Sequence, residues 1–121
     1  MKRAMAYRSL LDAGVHAAAG SDFSPGPFAP LMGMQGMVTR KGWDGKIWGA
    51  NQKISVDDAL RVNTLHGAYA SKEENHKGSI APGKLADFVM LSEDPHTIDP
   101  EKIKDIKIAR TVVGGNTVYE A

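Results

Sequence analysis

The feature that most constrains the fold of this chain is a short, mostly small and apolar run, Val15 to Ala19. It lies between a helix-stopping glycine and a predicted polar turn. Ala4 to Ala13 is rich in good helix formers, and Gly14 stands where helices commonly end. The run itself predicts a short strand covered on both faces. Gly20-Ser21-Asp22 then ends the strand in a tight turn that carries one carboxylate. This order of helix, strand and polar loop predicts an α/β unit, whose functional loops follow the strand C-termini.

The Gly-Ser-Asp turn admits a second interpretation, because the same three residue types form ordinary turns and helix N-caps. A functional carboxylate and a structural turn therefore both remain open on pattern alone.

Length and composition limit the classes of protein to which the chain can belong. Its 121 residues are enough for one domain but too few for a complete (β/α)₈ barrel of about 250 residues. Fifteen basic and fourteen acidic residues leave a formal net charge of +1, which argues against binding to nucleic acid or to a membrane surface. The absence of cysteine excludes disulfides and thiolate chemistry. No apolar run approaches the length of about 18 residues of a membrane span, and we expect a cytoplasmic location.

Two further helical segments follow the polar turn. Pro30 suits the first turn of a helix that runs to about Arg40. Ser55 is a predicted N-cap for the next helix. The apolar triplets of that segment are half a turn out of phase, which predicts a break near His66-Gly67 or burial on both sides. Its triplets are Val56, Ala59, Leu60 and Leu65, Ala68, Tyr69.

The last third of the chain predicts a small, mainly antiparallel β group that begins at Gly78. Pro82-Gly83 indicates a type II turn, and Phe88–Leu91 a buried strand. Strands over 106–113 and 117–119 are joined by a Gly-Gly-Asn hairpin signal. We therefore predict an α+β fold, divided into residues 1–77 and 78–121.

Several aromatic and methionine side chains are candidates to line a ligand site. Phe23 begins a stiff proline-rich loop over the strand end. Trp43 and Trp48 lie in a polar loop, where they either line a substrate entrance or fold down onto the adjacent helix. Met32, Met34 and Met37 either form an adaptable pocket wall or fill the core.

The histidines form no local metal-binding motif. His16, His66, His76 and His96 contain no His-x-His or His-x-x-x-His pair, the spacings that place two ligands together. A catalytic zinc usually takes three protein ligands, and Asp22 supplies at most one. A small free-standing hydrolase that uses Asp22 with His66 or His16 remains an alternative hypothesis.

These motifs together resemble a known enzyme family along nearly the whole chain. The stretch from Ala13 to Asp22 resembles the eighth barrel strand of the amidohydrolase superfamily. The stretch from Gly78 to Leu91 is similar to the motif that leads back into its small β domain. Val112 to Tyr119 resembles its closing hairpin. The stretches 39–45 and 55–60 are most similar to family-3 amidohydrolases.

The resemblance implies a fold, an activity and a role for Asp22. The fold would be the last βα unit of a TIM barrel, followed by helices and part of a composite β-sandwich domain. The activity would be metal-dependent hydrolysis of carbon–nitrogen bonds in non-peptide amides. Asp22 matches the aspartate that, in the intact family, binds a divalent, zinc-like metal and takes a proton from metal-bound water.

The family's other metal ligands are absent from this sequence, namely its His-x-His, its bridging residue and the histidines of strands five and six. We therefore expect the C-terminal portion of such an enzyme, inactive and without bound metal by itself. Its expected partners are a barrel portion N-terminal to it or further copies of itself. The alternatives are an oligomeric structural or binding module and one half of a split hydrolase.

Overall fold

The computed structural model describes residues 4–24 and 26–121, so Pro25 of the predicted loop lies outside the described residues. Helices α1 and α2 and a 3₁₀ turn come first, followed by α3 and α4. The sheet strands β1, β2 and β3 complete the chain, with a 3₁₀ helix between the first two. The bounds are Tyr7–Asp12 (α1), Pro30–Thr39 (α2), Ala50–Gln52 (3₁₀ turn), Val56–Asn63 (α3), Leu65–Ala70 (α4), Phe88–Leu91 (β1), Pro100–Asp105 (3₁₀ helix), Ile108–Val113 (β2) and Asn116–Glu120 (β3).

Gly14 ends α1 as the sequence predicts, although the helix begins at Tyr7 rather than Ala4. The Gly14 φ of +75° lies in the left-handed region. The Gly14 amide donates to the Leu11 carbonyl at 2.9 Å, and the Val15 amide to the Leu10 carbonyl at 2.9 Å. These two bonds form a Schellman motif, which satisfies carbonyls that a helix end leaves unpaired.

The prediction of a buried strand at Val15 to Ala19 is wrong for this structure. The segment is irregular, and Val15 is 46% exposed. A strand needs a neighbour to pair its backbone groups, and the three strands of the described chain pair with one another. Hydrogen bonds from helices hold Val15–Gly20 in place of a ladder, and we call these residues the anchored segment.

Helices α3 and α4 are separated at Thr64, two residues before the predicted break. The Ser55 side chain caps α3 by accepting from the Asp58 amide at 3.0 Å. Thr64 leaves the helical region, with φ −127° and ψ −84°. Its hydroxyl donates to the Leu60 carbonyl at 2.7 Å. A break in this region is one of the two outcomes that the phase argument predicted.

The buried core lies between α2, α3 and the 3₁₀ helix. Ile103 and Val62 are its largest fully enclosed side chains. The remaining buried members of the cluster are Met34, Ile54, Ala59 and Ile106. Leu31 of α2 and Ala19 of the anchored segment both pack against this core.

The sheet is antiparallel, in the order β1-β2-β3. The predicted two-glycine hairpin joins β2 to β3, and the Gly114 amide donates to the Asp87 carboxylate at 2.7 Å. The predicted turn also forms, with the Lys84 amide donating to the Ala81 carbonyl at 3.2 Å. Strand β1 has the predicted bounds, but Val89 and Met90 are half-exposed rather than buried, because β2 covers one edge and no second layer covers them within the described residues.

Two expected strand starts differ from the structure. No strand forms at Gly78, where the chain packs tightly against α4 instead. Strand β2 begins at Ile108, because Ile106 closes the 3₁₀ helix and is buried in the core. In the part of the chain that the structure describes, no helix is long and apolar enough to cross a membrane.

Candidate functional site

Asp22 lies two residues beyond the anchored segment, exposed and in the left-handed region with φ +51°. Its carboxylate makes no hydrogen bond or ion pair with any described residue. Across residues 4–24 and 26–121, no three His, Cys, Asp or Glu side chains come together to hold a metal ion. The described residues therefore do not by themselves fit the metal site that the resemblance implies.

Three hydrogen bonds reach consecutive residues of the anchored segment. The His66 Nδ1 atom lies 3.1 Å from the Ala17 carbonyl oxygen. The Tyr7 hydroxyl donates to the Ala18 carbonyl at 3.4 Å, and the Ala19 amide donates to the Val62 carbonyl at 3.1 Å. These contacts connect the peptide that precedes Asp22 to α1, α3 and α4.

The second proposed histidine, His16, lies beside His66 rather than beside a metal ligand set. The two imidazole rings meet edge to face at 5.1 Å, and the His16 ring packs on Tyr69 at 4.4 Å. His66 is 7% exposed, whereas His16 is exposed. Asp22 forms a hydrogen bond with neither imidazole ring. This arrangement therefore gives no direct support to the hypothesis of a hydrolase that pairs Asp22 with a histidine.

An open cleft of about 570 Å³ runs along α2 from Ser21 to the tryptophan loop. Met32 and Met37 line the cleft, while Met34 is buried in the core. The methionine group thus combines both predicted roles, since neighbouring positions on a helix face different directions. The cleft is also lined by Phe28, Pro30, Trp43, Trp48 and Asn63.

Both tryptophans line this cleft rather than the core. Trp43 is 87% exposed and Trp48 is 47% exposed. The Trp48 Nε1 atom donates to the Asp44 carboxylate at 3.2 Å, and its ring packs against Gly42. Phe23 is exposed beside the cleft, and its ring meets that of Phe28 at 5.7 Å, edge to face.

The two cations at the cleft are engaged in structural contacts. Arg40 donates to the carbonyls of Ala4 at 2.8 Å and Trp48 at 3.0 Å. Lys41 pairs with the Glu101 carboxylate at 2.8 Å. The cleft therefore offers mainly apolar and aromatic surface to a ligand, with little free positive charge.

His96 forms a separate charged cluster on the connection after β1. Its Nδ1 atom lies 2.7 Å from Asp94 Oδ1, and its Nε2 atom lies 3.0 Å from Asp57 Oδ1 on α3. The hydrogen bond to Asp94, followed by that to Asp57, raises the pKa of His96. The backbone and side-chain bonds from His96 lower the pKa of Asp94. The cluster joins the β segment to α3 and lies outside the cleft lining.

Comparisons with known proteins place this geometry in context. The sequence model of the amidohydrolase family matches residues 1–119. The chain is 37% identical over 123 aligned residues to the putative amidohydrolase YtcJ of Bacillus subtilis. The alignment covers 99% of this chain and 23% of that protein. It is 34% identical to the N-substituted formamide deformylase of Arthrobacter pascens, over 93% of this chain and 21% of that protein.

A solved structure supports the fold. The amidohydrolase from Thermotoga maritima MSB8 superimposes with a TM-score of 0.71 at 22% identity, over 95% of this chain and 26% of that one. The chain thus spans about a fifth to a quarter of the length of these relatives.

Proposed function

The chain belongs to the amidohydrolase family, and from this premise we propose that it is the C-terminal portion of a metal-dependent hydrolase of non-peptide carbon–nitrogen bonds. The observation that carries the proposal is the match along 99% of this chain to 23% of a relative. In the proposed whole enzyme, Val15 to Asp22 would pair as the last strand of a barrel. Residues 1–77 would belong to that barrel and its helices, and 78–121 to a composite β domain.

Asp22 is the proposed contribution of this chain to the metal centre. Its carboxylate has both oxygens free of protein partners among the described residues, so it is available to a ligand and to a proton. In the whole enzyme, a zinc-like ion would lower the pKa of a bound water to about 7. Because the described residues do not complete a metal site, the other ligands would come from a different part of the enzyme, and we propose that this chain alone is inactive.

The cleft beside Asp22 is the proposed substrate contact. Ser21, the neighbour of Asp22, and the exposed Trp43 both line the cleft. Aromatic walls bind apolar groups through large buried area. We propose that Phe23, Trp43 and Trp48 contact the substituent of the amide rather than its reacting carbon.

The inactivity of the isolated chain is tested by metal analysis and by assay. We expect the purified chain to retain less than stoichiometric zinc after dialysis and to release no formate from N-substituted formamides. Stoichiometric zinc together with turnover that Asp22→Asn abolishes would contradict the proposal and favour the free-standing hydrolase.

The role of Asp22 is tested in a chimera. The segment of the Arthrobacter pascens deformylase that aligns with this chain is replaced by this chain, and formate release is measured. We expect measurable activity that falls by at least about a hundredfold in Asp22→Asn, the scale on which loss of a catalytic acid–base group acts. Asp105→Asn, an exposed carboxylate paired with Lys104, is the control and should leave the rate unchanged.

A second candidate function is an oligomeric structural or binding module. It is favoured by exposed apolar side chains on every strand of the sheet, among them Val89, Val113 and Val118, since exposed apolar patches mark interaction sites. Self-association with no effect of Asp22→Asn in the chimera would favour this module over the hydrolase portion. The cytoplasmic location expected from composition remains a prediction.

A further inference from the structure

The anchored segment has few large side chains that could fix its position by packing. Three consecutive alanines, Ala17 to Ala19, precede Gly20 and Ser21. Ala19 packs against the core, but neighbouring alanines have the same size, so packing alone specifies the register weakly. A slip of one residue would move Asp22 by about 3.8 Å, the spacing of consecutive Cα atoms. In the described chain no strand ladder aligns this peptide, so its contacts with the surrounding helices determine where it lies.

His66 provides the best-placed side-chain contact. Its Nδ1 atom lies 3.1 Å from the Ala17 carbonyl oxygen, within the ordinary range for a nitrogen donor, whereas the Tyr7 hydroxyl at 3.4 Å from Ala18 is long. A carbonyl oxygen accepts but cannot donate, so Nδ1 carries the proton. The imidazole is buried, and a buried donor left without an acceptor costs free energy. We therefore expect the neutral ring to adopt the tautomer that is protonated at Nδ1 and to donate to the Ala17 carbonyl.

The break at Thr64 supplies a second contact two residues farther along the segment. Because α3 ends at Asn63, the Val62 carbonyl lies in the last turn, where helix carbonyls lack intrahelical partners. It accepts from the Ala19 amide at 3.1 Å. A carbonyl of α3 and an imidazole of α4 therefore hold Ala19 and Ala17 in one register.

We propose that His66 is a positioning residue that fixes the register of the anchored segment and, through it, the place of Asp22. The functional half of this inference rests on the proposed function. A misplacement of about 1 Å can lower a catalysed rate by about a hundredfold, so a register slip at Ala17 would remove Asp22 from a metal centre.

Two substitutions separate the hydrogen bond from the volume of the side chain. His66→Leu keeps a bulky side chain at this buried position but removes the donor. His66→Asn places an amide Nδ2 near the position of the imidazole Nδ1 and restores a donor. His16→Leu is the matched control, because His16 touches the same ring but is exposed and makes no hydrogen bond with a described residue.

Hydrogen exchange in the isolated chain measures the register directly. We expect His66→Leu to speed exchange of the Ala19 amide by about tenfold, the scale of one lost hydrogen bond, while the amides of β2 keep their rates. His66→Asn and His16→Leu should retain the slow Ala19 exchange. Unchanged exchange in His66→Leu, or a His66→Asn variant as fast as His66→Leu, would overturn the proposal.

The wild-type chain provides a measurement that does not depend on a variant that folds. Nitrogen-15 spectra of the imidazole are expected to show the neutral His66 ring protonated at Nδ1. An Nε2-protonated ring would leave Nδ1 without a hydrogen for the Ala17 carbonyl and would overturn the proposal.

The chimera tests the functional half separately. We expect His66→Leu to lower kcat by about tenfold or more with little change in KM, and His66→Asn to restore most of it. A chimera that requires Asp22 but is indifferent to His66→Leu would reject the positioning role. A chimera in which Asp22→Asn has no effect would instead reject the proposed function, while the exchange result would still test the register.

Discussion

Gly78 and Gly83 have nearly the same backbone angle but different surroundings. Their φ values are +87° and +85°, both in the region that favours glycine. A Cβ at Gly78 would lie 2.7 Å from the Ala68 Cβ and 3.0 Å from the Leu65 Cα, whereas at Gly83 no described atom lies within 4 Å. Gly78 therefore allows the chain to pack directly against α4, the helix that carries His66.

Substituting these two glycines separates backbone strain from steric contact. We expect Gly83→Ala to lower the free energy of unfolding by about 1 kcal/mol, the cost of a left-handed alanine. We expect Gly78→Ala to lower it by about 3 kcal/mol, because overpacking against α4 adds to that strain. Urea denaturation of both variants provides the measurement, and equal losses would contradict the close packing of Gly78.

His96 predicts a pH-dependent component of stability. Its pKa is raised above the ordinary value of 6.5 by Asp94 and then Asp57. A raised folded pKa gives a contribution that is fully present below pH 6.5 and is lost as the pH rises through the higher folded value. We therefore expect the urea midpoint of the wild type to decrease as the pH rises from 6.5 through the higher folded pKa of His96, and we expect His96→Gln to reduce that decrease.

The matched control for His96 is His76→Gln, another exposed histidine. It should keep the wild-type pH profile. Added salt should reduce the His96 effect, because the three groups are exposed to solvent and salt screens such charges. A His96→Gln profile identical to the wild type would remove the imidazole as the source of the pH dependence.

At the scale of elements, the ends of α3 determine how the candidate site is held. Ser55 begins the helix and Thr64 ends it, and the last turn presents the Val62 carbonyl to Ala19. Asp57 and Asp58 lie in the first turn, where the helix dipole favours negative charge. A loss of helix at either end would therefore loosen the peptide that leads to Asp22.

The N-cap of α3 is tested by two substitutions at one position. Ser55→Ala removes the acceptor for the Asp58 amide and should lower the free energy of unfolding by about 1 kcal/mol. Ser55→Asp retains an acceptor and should stay close to the wild type. Thermal denaturation followed by circular dichroism measures both, and a neutral Ser55→Ala would contradict the capping role.

At the scale of the whole molecule, the main feature is the exposed apolar surface, because it bears on whether the chain associates with other molecules. Val89, Met90 and Tyr119 are exposed on the sheet, and Phe28 and Trp43 are exposed at the cleft. Monomeric proteins seldom leave large contiguous apolar patches in water. We propose that a whole hydrolase covers the sheet with its remaining residues and that isolated copies of this chain cover it by association.

We therefore expect the isolated chain to self-associate. Light scattering coupled to size-exclusion chromatography should give a mass above that of one chain, and Val118→Lys should shift the distribution towards the monomer by placing a charge on the edge strand. Ala70→Lys, at an exposed position on α4, is the control and should not shift it. A monodisperse monomer at all concentrations would contradict this prediction.

Local stereochemistry is what the sequence by itself determined. Gly14, Ser55, Pro82-Gly83 and the two-glycine hairpin each behave as predicted, because a helix end, a cap or a tight turn depends on a few neighbouring residues. The family followed from the same local motifs, since they span nearly the whole chain. The tight turn predicted at Gly20-Ser21 is not formed, since the structure has no turn or bend at residues 20–22.

The tertiary structure decided every feature that depends on distant residues. Val15 to Ala19 has the composition of a buried strand, yet no strand lies beside it in the described chain, because pairing requires a neighbour that composition cannot supply. The contact of His66 with Ala17 joins residues 49 positions apart, and no local pattern indicates it. Hydrogen bonds and burial between remote segments thus determined which residues surround the candidate site, whereas backbone preferences determined where its elements begin and end.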